Sequence, residues 1–207
     1  MMCIFKKKHC RMKQVLLIAI GLITLPALAQ NEKPEILSTE IQIKTAVLPA
    51  PENDRDNAMV YGYDIAGKLV VLREGTNNLV CIGDNPNKDG ISVSCYSKKL
   101  EPFMARGREL TAEGKDFKEK RKIRGDEVAS GKLSMPEEPS MTYIYTGKQE
   151  NFNSTTGELK EGQFRYVIYT PFTTPESTGL PIKPHAKGMP WLMDPGTHRA
   201  HIMVGPF

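Results

Sequence analysis

The sequence is poor in cysteine, and its 207 residues contain no Cys-x-x-Cys pair. It also lacks the Gly-x-Gly-x-x-Gly and Walker loops that cradle phosphates, and no serine stands in a Gly-x-Ser-x-Gly turn. These absences exclude a thioredoxin-type redox pair, the common nucleotide-binding loops and the nucleophile elbow of α/β hydrolases. Only one long apolar run is present, close to the N-terminus.

That apolar run is typical of a secretory signal peptide. Residues 1–13 carry five basic side chains and no acidic one, residues 15–28 are almost entirely apolar, and Ala27-Leu28-Ala29 is a small-x-small exit. The run is short for a membrane span, and no second run follows it. We therefore expect residues 1–29 to be a cleaved signal peptide and the mature protein to be periplasmic or secreted, with no membrane span.

Removal of the signal peptide changes the charge balance. The chain has 28 basic and 24 acidic residues, and five of the basic ones lie in residues 1–29, which leaves 23 against 24. A nearly neutral mature chain gives no support for a nucleic-acid partner or an anionic membrane surface. The remaining 178 residues are enough for one domain with a sizeable core.

Two cysteines remain in the mature chain, Cys81 and Cys95. Strand patterns over residues 79–82 and 91–96 flank a turn-rich stretch, and both cysteines are seven residues from Lys88. An antiparallel hairpin centred on Lys88 places them directly opposite each other, within disulfide reach. We predict a structural Cys81–Cys95 disulfide, as export also favours.

Helical patterns occur in two regions. In the N-terminal segment of residues 30–56, a helix from Pro34 to Val47 is favoured over a strand in the same place, since both periodicities fit. Residues 101–132 predict two helices separated at Gly114, and the first buries Phe103 and Leu110. Phe117 begins the thin apolar stripe of the second helix, and we expect it to face inward.

Strand patterns fill much of the rest. They cover residues 58–63, 68–73, 141–145, 164–169 and 198–204, besides the cysteine hairpin. We predict a single α+β domain over residues 57–207, with a mostly antiparallel sheet, two or three helices on one side of it, and one disulfide. Six prolines between residues 170 and 197 indicate a long loop without an element of its own.

The C-terminal region gathers the side chains best suited to chemistry. The candidate ligand-binding residues are Trp191, Asp194, His198 and His201. Imidazole and thioether groups together suit copper, and imidazole with carboxylate suits zinc. The alternative to a ligand-binding site is therefore a metal site, with the candidate ligands His185, Met189, His201 and Met203. On one strand, however, His198 and His201 would point to opposite faces, and the methionines serve equally well as apolar anchors.

The predicted helical region over residues 106–132 holds nine basic and six acidic residues. This mixture is typical of a solvated face with helix-spaced ion pairs. The alternative is that this region is a docking surface for an acidic partner.

Three blocks of sequence resemble a group of functionally uncharacterised exported bacterial proteins: GTNNLVC at residues 75–81, EPFMARGR at 101–108 and MPWLMDPGTHRAHIM at 189–203. The resemblance implies export and a common fold, and it supplies no catalytic residue. We predict a non-enzymatic exported binding or structural protein without a cofactor, whose partner is a small molecule or a protein. The alternatives are a periplasmic copper or zinc binder and a hydrolase using Asp194 and His198.

Overall fold

A computed structural model describes residues 35–206. The predicted signal peptide, residues 1–29, lies outside the described residues, as does Pro34 at the predicted helix start. Within residues 35–206, no helix has the length and apolar character needed to cross a membrane.

Strands of two to eight residues make up the β structure: β1 (Met59–Tyr63), β2 (Leu69–Arg73), β3 (Leu79–Ile82), β4 (Ile91–Ser97), β5 (Ser140–Gly147), β6 (Phe152–Asn153), β7 (Glu158–Leu159), β8 (Gln163–Tyr169), β9 (Trp191–Met193) and β10 (His201–Val204). Eight of them form one sheet in the order β2-β1-β3-β4-β5-β8-β10-β9, and β6 pairs with β7. All neighbours in the large sheet are antiparallel except β1 and β3. The predicted α+β fold with a mostly antiparallel sheet is confirmed.

Four helices accompany the sheet in the described part of the chain: α1 (Thr39–Ala46), α2 (Glu101–Ala112), α3 (Phe117–Ala129) and the single-turn α4 (Pro175–Thr178). The helix predicted in the N-terminal segment is present, and the strand alternative is wrong. The helix begins at Thr39 because the Ser38 hydroxyl accepts a hydrogen bond from the Ile41 amide at 3.3 Å.

The helices cover both faces of the sheet, which corrects the prediction that they lie on one side. Ala46 of α1 packs with Val60, Cys81 and Cys95 on one face. On the other face, Val80 and Tyr96 pack with residues of α2 and the turn before it, including Leu100 and Met104. Alternate strand residues therefore face two different helices, and both faces are buried in the central strands.

The disulfide is confirmed. Cys81 lies opposite Cys95 in the β3–β4 register, and their Cα atoms are 4.0 Å apart. Both cysteines are fully buried beneath α1.

The break between the two central helices is also confirmed, since α2 ends at Ala112 and α3 begins at Phe117. Phe103 and Leu110 are buried as predicted. Phe117 is 66% exposed, so the expectation that it faces inward is wrong. It is the first residue of α3, immediately after the Asp116 cap, where its ring contacts the Arg199 guanidinium at 5.6 Å instead of the core.

The region of residues 170–197 has elements of its own, contrary to the prediction. Thr174 and Ser177 form a capping box around α4, with Pro175 in the first turn. The three residues of β9 pair with β10, which begins at His201. A three-residue strand is too short for periodicity to reveal. Because His198 lies before β10, the opposite-face argument does not apply to it.

Candidate functional site

A cavity of about 610 Å³ lies between α2 and the sheet face formed by β1, β3, β4 and β5. We call this cavity the α2 groove. Its apolar lining comes from residues in the sheet and in α2, Leu69, Ile82, Met104 and Ala112. Its polar lining is mainly hydroxyl-bearing or cationic and includes Lys68, Ser94, Tyr96, Arg108, Arg124 and Thr142. The volume is within the range of about 300–1,000 Å³ that is common for small-molecule sites.

Thr142 forms part of the groove floor. It lies opposite Tyr96 in the β4–β5 register, so both side chains face α2. Thr142 is only 6% exposed, and its Oγ1 is buried without a hydrogen-bond partner among the described residues. An unsatisfied buried hydroxyl costs about 1–3 kcal/mol. Such a group is unusual, and among the described strand residues no other buried side-chain atom lacks a partner.

Two groove-lining side chains, Tyr96 and Arg108, are interlocked with Glu101, which is not itself part of the groove lining. Tyr96 donates its hydroxyl proton to Glu101 Oε2 at 2.6 Å, and Arg108 donates to the Tyr96 oxygen at 2.6 Å and to Glu101 Oε1 at 2.5 Å. The Arg108 guanidinium also lies 4.5 Å from the centre of the Tyr61 ring. Burial, followed by the hydrogen bond to Glu101, raises the pKa of Tyr96, so this phenol remains neutral. The wall is rigid, and the charge of Arg108 is compensated by Glu101.

Arg124 reaches the groove from α3. Its guanidinium carbon lies 4.1 Å from the centre of the Phe103 ring, a cation–π contact. Its hydrogen bonds are long and go to two backbone carbonyls, Lys120 at 3.4 Å and Phe103 at 3.3 Å. Within the described range, no carboxylate lies within ion-pair distance of it. Burial, aided by the charge of Arg199, lowers the pKa of Arg124.

Of the candidate residues predicted from the sequence, Asp194 and His198 come from one turn beside α3. Asp194 Oδ1 accepts a hydrogen bond from Arg121 at 2.8 Å, and Arg199 lies 3.7 Å from Oδ2. The His198 ring packs edge-on against Phe103 at 5.9 Å, and its Nε2 is buried without a partner in the described part of the chain. Burial, followed by three nearby arginines, lowers the pKa of His198.

His198 also lines a shallow cleft of about 380 Å³, which we call the basic cleft; its other lining residues are Lys118, Arg121, Lys122, Gly125, Asp126 and Thr197. The helix-spaced ion pairs expected for this region are present, with Lys122 2.6 Å from Asp126 and Lys115 3.4 Å from Glu119. Since Asp126 and Asp194 compensate Lys122 and Arg121, the basic cleft is a solvated and largely neutralised surface.

The other candidates lie elsewhere. His201 is buried in β10, where its Nδ1 lies 2.6 Å from the Arg199 carbonyl oxygen and its ring is 5.4 Å from that of Tyr169. Burial lowers the pKa of His201. Trp191 and His185 line a separate cleft of about 310 Å³. The four predicted ligand-binding residues therefore do not converge on one pocket.

The two alternative functions remain predictions. Of the four proposed metal ligands, His201 and Met203 share the buried side of β10, as predicted, whereas His185 and Met189 are exposed. Among residues 35–206, no group of three or more His, Cys, Asp or Glu side chains is arranged around one point. For the hydrolase alternative, both carboxylate oxygens of Asp194 face arginines.

A second large cavity, of about 590 Å³, lies beside α1 and is lined by residues that include Tyr63, Asp84, Lys88 and Phe152. Asp84 there accepts a hydrogen bond from the Ser92 amide at 2.8 Å. None of the unpartnered buried atoms found in the described residues belongs to its wall. The α2 groove is therefore the stronger candidate.

Sequence reasoning missed Thr142 entirely and interpreted Arg124 as part of a solvated helix face. One signal was present. Gly107 lies in the middle of α2, and a Cβ atom there would be 2.9 Å from Arg124 Nη1. A glycine inside a helix weakens it by about 1 kcal/mol, so its position indicates a close approach by another group.

No family model matches this chain, and neither a curated protein nor a solved structure shows significant similarity to it. The resemblance to exported bacterial proteins stays a prediction, and the function has to be argued from the geometry of the α2 groove.

Proposed function

We propose that the protein is an exported, non-enzymatic binding protein that holds a small, largely apolar molecule in the α2 groove. The observation that carries this proposal is a cavity of ligand size whose floor contains Thr142, a buried hydroxyl without a partner among the described residues. Export is supported by the predicted signal peptide and by the buried Cys81–Cys95 disulfide, which is typical of proteins in oxidising compartments.

The chemistry of the walls favours binding over reaction. The groove-lining Tyr96 and Arg108 are hydrogen-bonded to each other and to Glu101, so their polar groups are already engaged. Ile82 and Met104 offer apolar contact area, which supplies affinity at about 25 cal/mol for each Å² buried. Polar groups in the lining, such as the half-buried Ser94, add contacts that orient the ligand, as is usual in apolar pockets.

The proposal is tested with N-phenyl-1-naphthylamine, a neutral apolar dye whose fluorescence rises on burial. We expect saturable, stoichiometric binding to the disulfide-bonded protein. Ser94 lines the groove, whereas Ser92 lies two residues away on β4 and is exposed. Ser94→Phe should fill the groove and lower the affinity at least ten-fold, because the added ring occupies the space the dye needs, and Ser92→Phe should leave it unchanged.

Circular dichroism melts of both variants check that they fold. Equal dye affinity of folded Ser94→Phe and wild type, or the absence of saturable binding to wild type, contradicts the proposal.

A further inference from the structure

Resting on the proposed function, we infer that the natural ligand of the α2 groove is an amphipathic anion. Its apolar body lies against Ile82 and Met104, and its acidic group, a carboxylate or a similar planar or trigonal oxyanion, binds the guanidinium of Arg124.

The charge of the groove wall is the first argument. Among the described residues that line the groove, Lys68, Arg108 and Arg124 are cationic, and none is Asp or Glu. The chain without residues 1–29 is nearly neutral, so a wall with cations alone departs strongly from its average. Such a wall attracts an anion and repels a cation.

Arg124 is the groove cation that forms no ion pair among the described residues; the charge of Glu127 attracts it, but Glu127 is paired with Arg106 at 3.0 Å. Lys68 is exposed to solvent, and Arg108 is paired with Glu101 at 2.5 Å. Arg124 is partly buried, and the hydrogen bonds it makes within the described residues are from Nε and Nη1, leaving Nη2 without one. The nearby charge of Arg199 adds repulsion, in agreement with the lowered pKa of Arg124. A partly buried cation without an ion-pair partner is costly, and an incoming acidic group lowers that cost.

The position of Arg124 also favours recognition of an oxyanion. The guanidinium lies over the Phe103 ring at 4.1 Å, and Gly107 leaves room for it beneath α2. A planar guanidinium held in one orientation can donate two parallel hydrogen bonds to a carboxylate or sulfonate.

A matched pair of dyes tests the inference. 1-Anilinonaphthalene-8-sulfonate has the skeleton of N-phenyl-1-naphthylamine with one sulfonate added. Wild type should bind the sulfonate at least ten-fold more tightly than the neutral dye, since a charge-assisted hydrogen bond is stronger than one between neutral groups. Arg124→Gln should lower the sulfonate affinity about ten-fold and the neutral-dye affinity less than two-fold, and Arg124→Lys should retain part of the preference.

Arg165→Gln is the charge-matched control, because Arg165 is exposed on β8 and is not among the groove-lining residues. It should leave both affinities unchanged. If Ser94→Phe abolishes binding of both dyes but wild type binds them equally, the anion inference is overturned and the proposed function stands. If neither dye binds wild type saturably, both are overturned. If Arg124→Gln does not fold, the inference is decided by the dye affinities of Arg124→Lys and by the salt dependence of binding to wild type. Added salt should weaken binding of the sulfonate dye and leave binding of the neutral dye unchanged.

Discussion

Single side chains with unmet hydrogen-bonding capacity are concentrated on one side of this protein. Among the described residues, the buried side-chain atoms without partners belong to Thr142, His198 and Arg199. All three residues lie on or beside the sheet face covered by α2 and α3. Polar groups left unsatisfied in this way lower the stability of the folded protein.

Thr142→Val should raise the free energy of unfolding by about 1 kcal/mol, because it replaces a buried, unpartnered hydroxyl with a methyl group of the same shape. Denaturant unfolding followed by circular dichroism measures this change. Thr146→Val, on the same strand and face but less buried, is the control and should have a smaller effect. A destabilised Thr142→Val protein would show that the hydroxyl is already satisfied.

Stability should fall as the pH drops from 7.5 to 5.5. Burial lowers the pKa of His198 and of His201, so the folded protein binds fewer protons than the unfolded chain below about pH 6.5. The stabilising contribution of the two neutral histidines is therefore present above about pH 6.5, and it is lost as the pH falls through their pKa in the folded protein.

His201→Gln should make the free energy of unfolding less dependent on pH in this window, as measured by urea titrations at each pH. His185→Gln, an exposed histidine in the loop before β9, should leave the dependence as in wild type. An identical slope in His201→Gln and wild type contradicts this assignment.

At the scale of elements, α3 is positioned mainly by polar contacts. Arg106 of α2 donates from Nε to both carboxylate oxygens of Glu127 at 3.0 and 3.1 Å, while none of the α3 residues is fully buried. The first turn is closed by a capping box in which Asp116 and Glu119 each accept from the other's backbone amide. Because Arg124 belongs to α3, the order of this helix also determines the geometry of the groove.

Asp116→Ala should lower the free energy of unfolding by about 1 kcal/mol, since it removes the side-chain acceptor at the helix N-terminus. Asp116→Asn retains an acceptor and should cost much less. Thermal unfolding compares the two variants. The alanine variant should also weaken binding of the sulfonate dye more than that of the neutral dye, because fraying of α3 loosens Arg124. Equal stability of both variants would show that the cap is not formed in solution.

At the scale of the whole described range, residues 35–206, helices pack on both faces of the eight-stranded sheet, and a disulfide cross-links its central strands. The Cys81–Cys95 disulfide joins β3 to β4 with a separation of 14 residues, and both sulfur-bearing residues are buried against α1. Closure of a loop of this size reduces the freedom of the unfolded chain and stabilises the fold by about 3 kcal/mol.

Replacing both cysteines with alanine should therefore lower the free energy of unfolding by about 3 kcal/mol, as measured by denaturant titration. Dithiothreitol should destabilise wild type and leave the double variant unchanged, which separates loss of the cross-link from loss of packing. Equal stability of wild type with and without the reductant, after its reduction has been verified by thiol titration, would contradict the prediction.

Some of the fold could be predicted because its signals are local. The equal spacing of Cys81 and Cys95 from Lys88 was sufficient to predict that they lie opposite each other in a hairpin. Gly114 predicted the end of α2. The three-residue β9 could not be predicted, because its pairing with β10 depends on a contact made across a loop. The parallel pairing of β1 with β3 was missed for the same reason, since it joins strands that are separated by β2.

The predicted site residues and the α2 groove come from different parts of the fold. Local composition pointed to Asp194 and His198, which the structure places with α3, and to Trp191, which lies in a different cleft. The groove contains Thr142, from a strand that looked ordinary in the sequence.

The order of amino acids by itself determined most of the longer helices and strands and which two cysteines pair, because periodicity and turn chemistry act over a few residues. Only the tertiary structure decided that Arg124, Met104 and Thr142 share one cavity, since they come from α3, α2 and β5. The burial of a charge and the presence of a counter-ion depend on neighbours that are distant along the chain. The burial of Arg124 and its lack of an ion pair among the described residues, neither of which the sequence predicts, make it the candidate anion-binding residue.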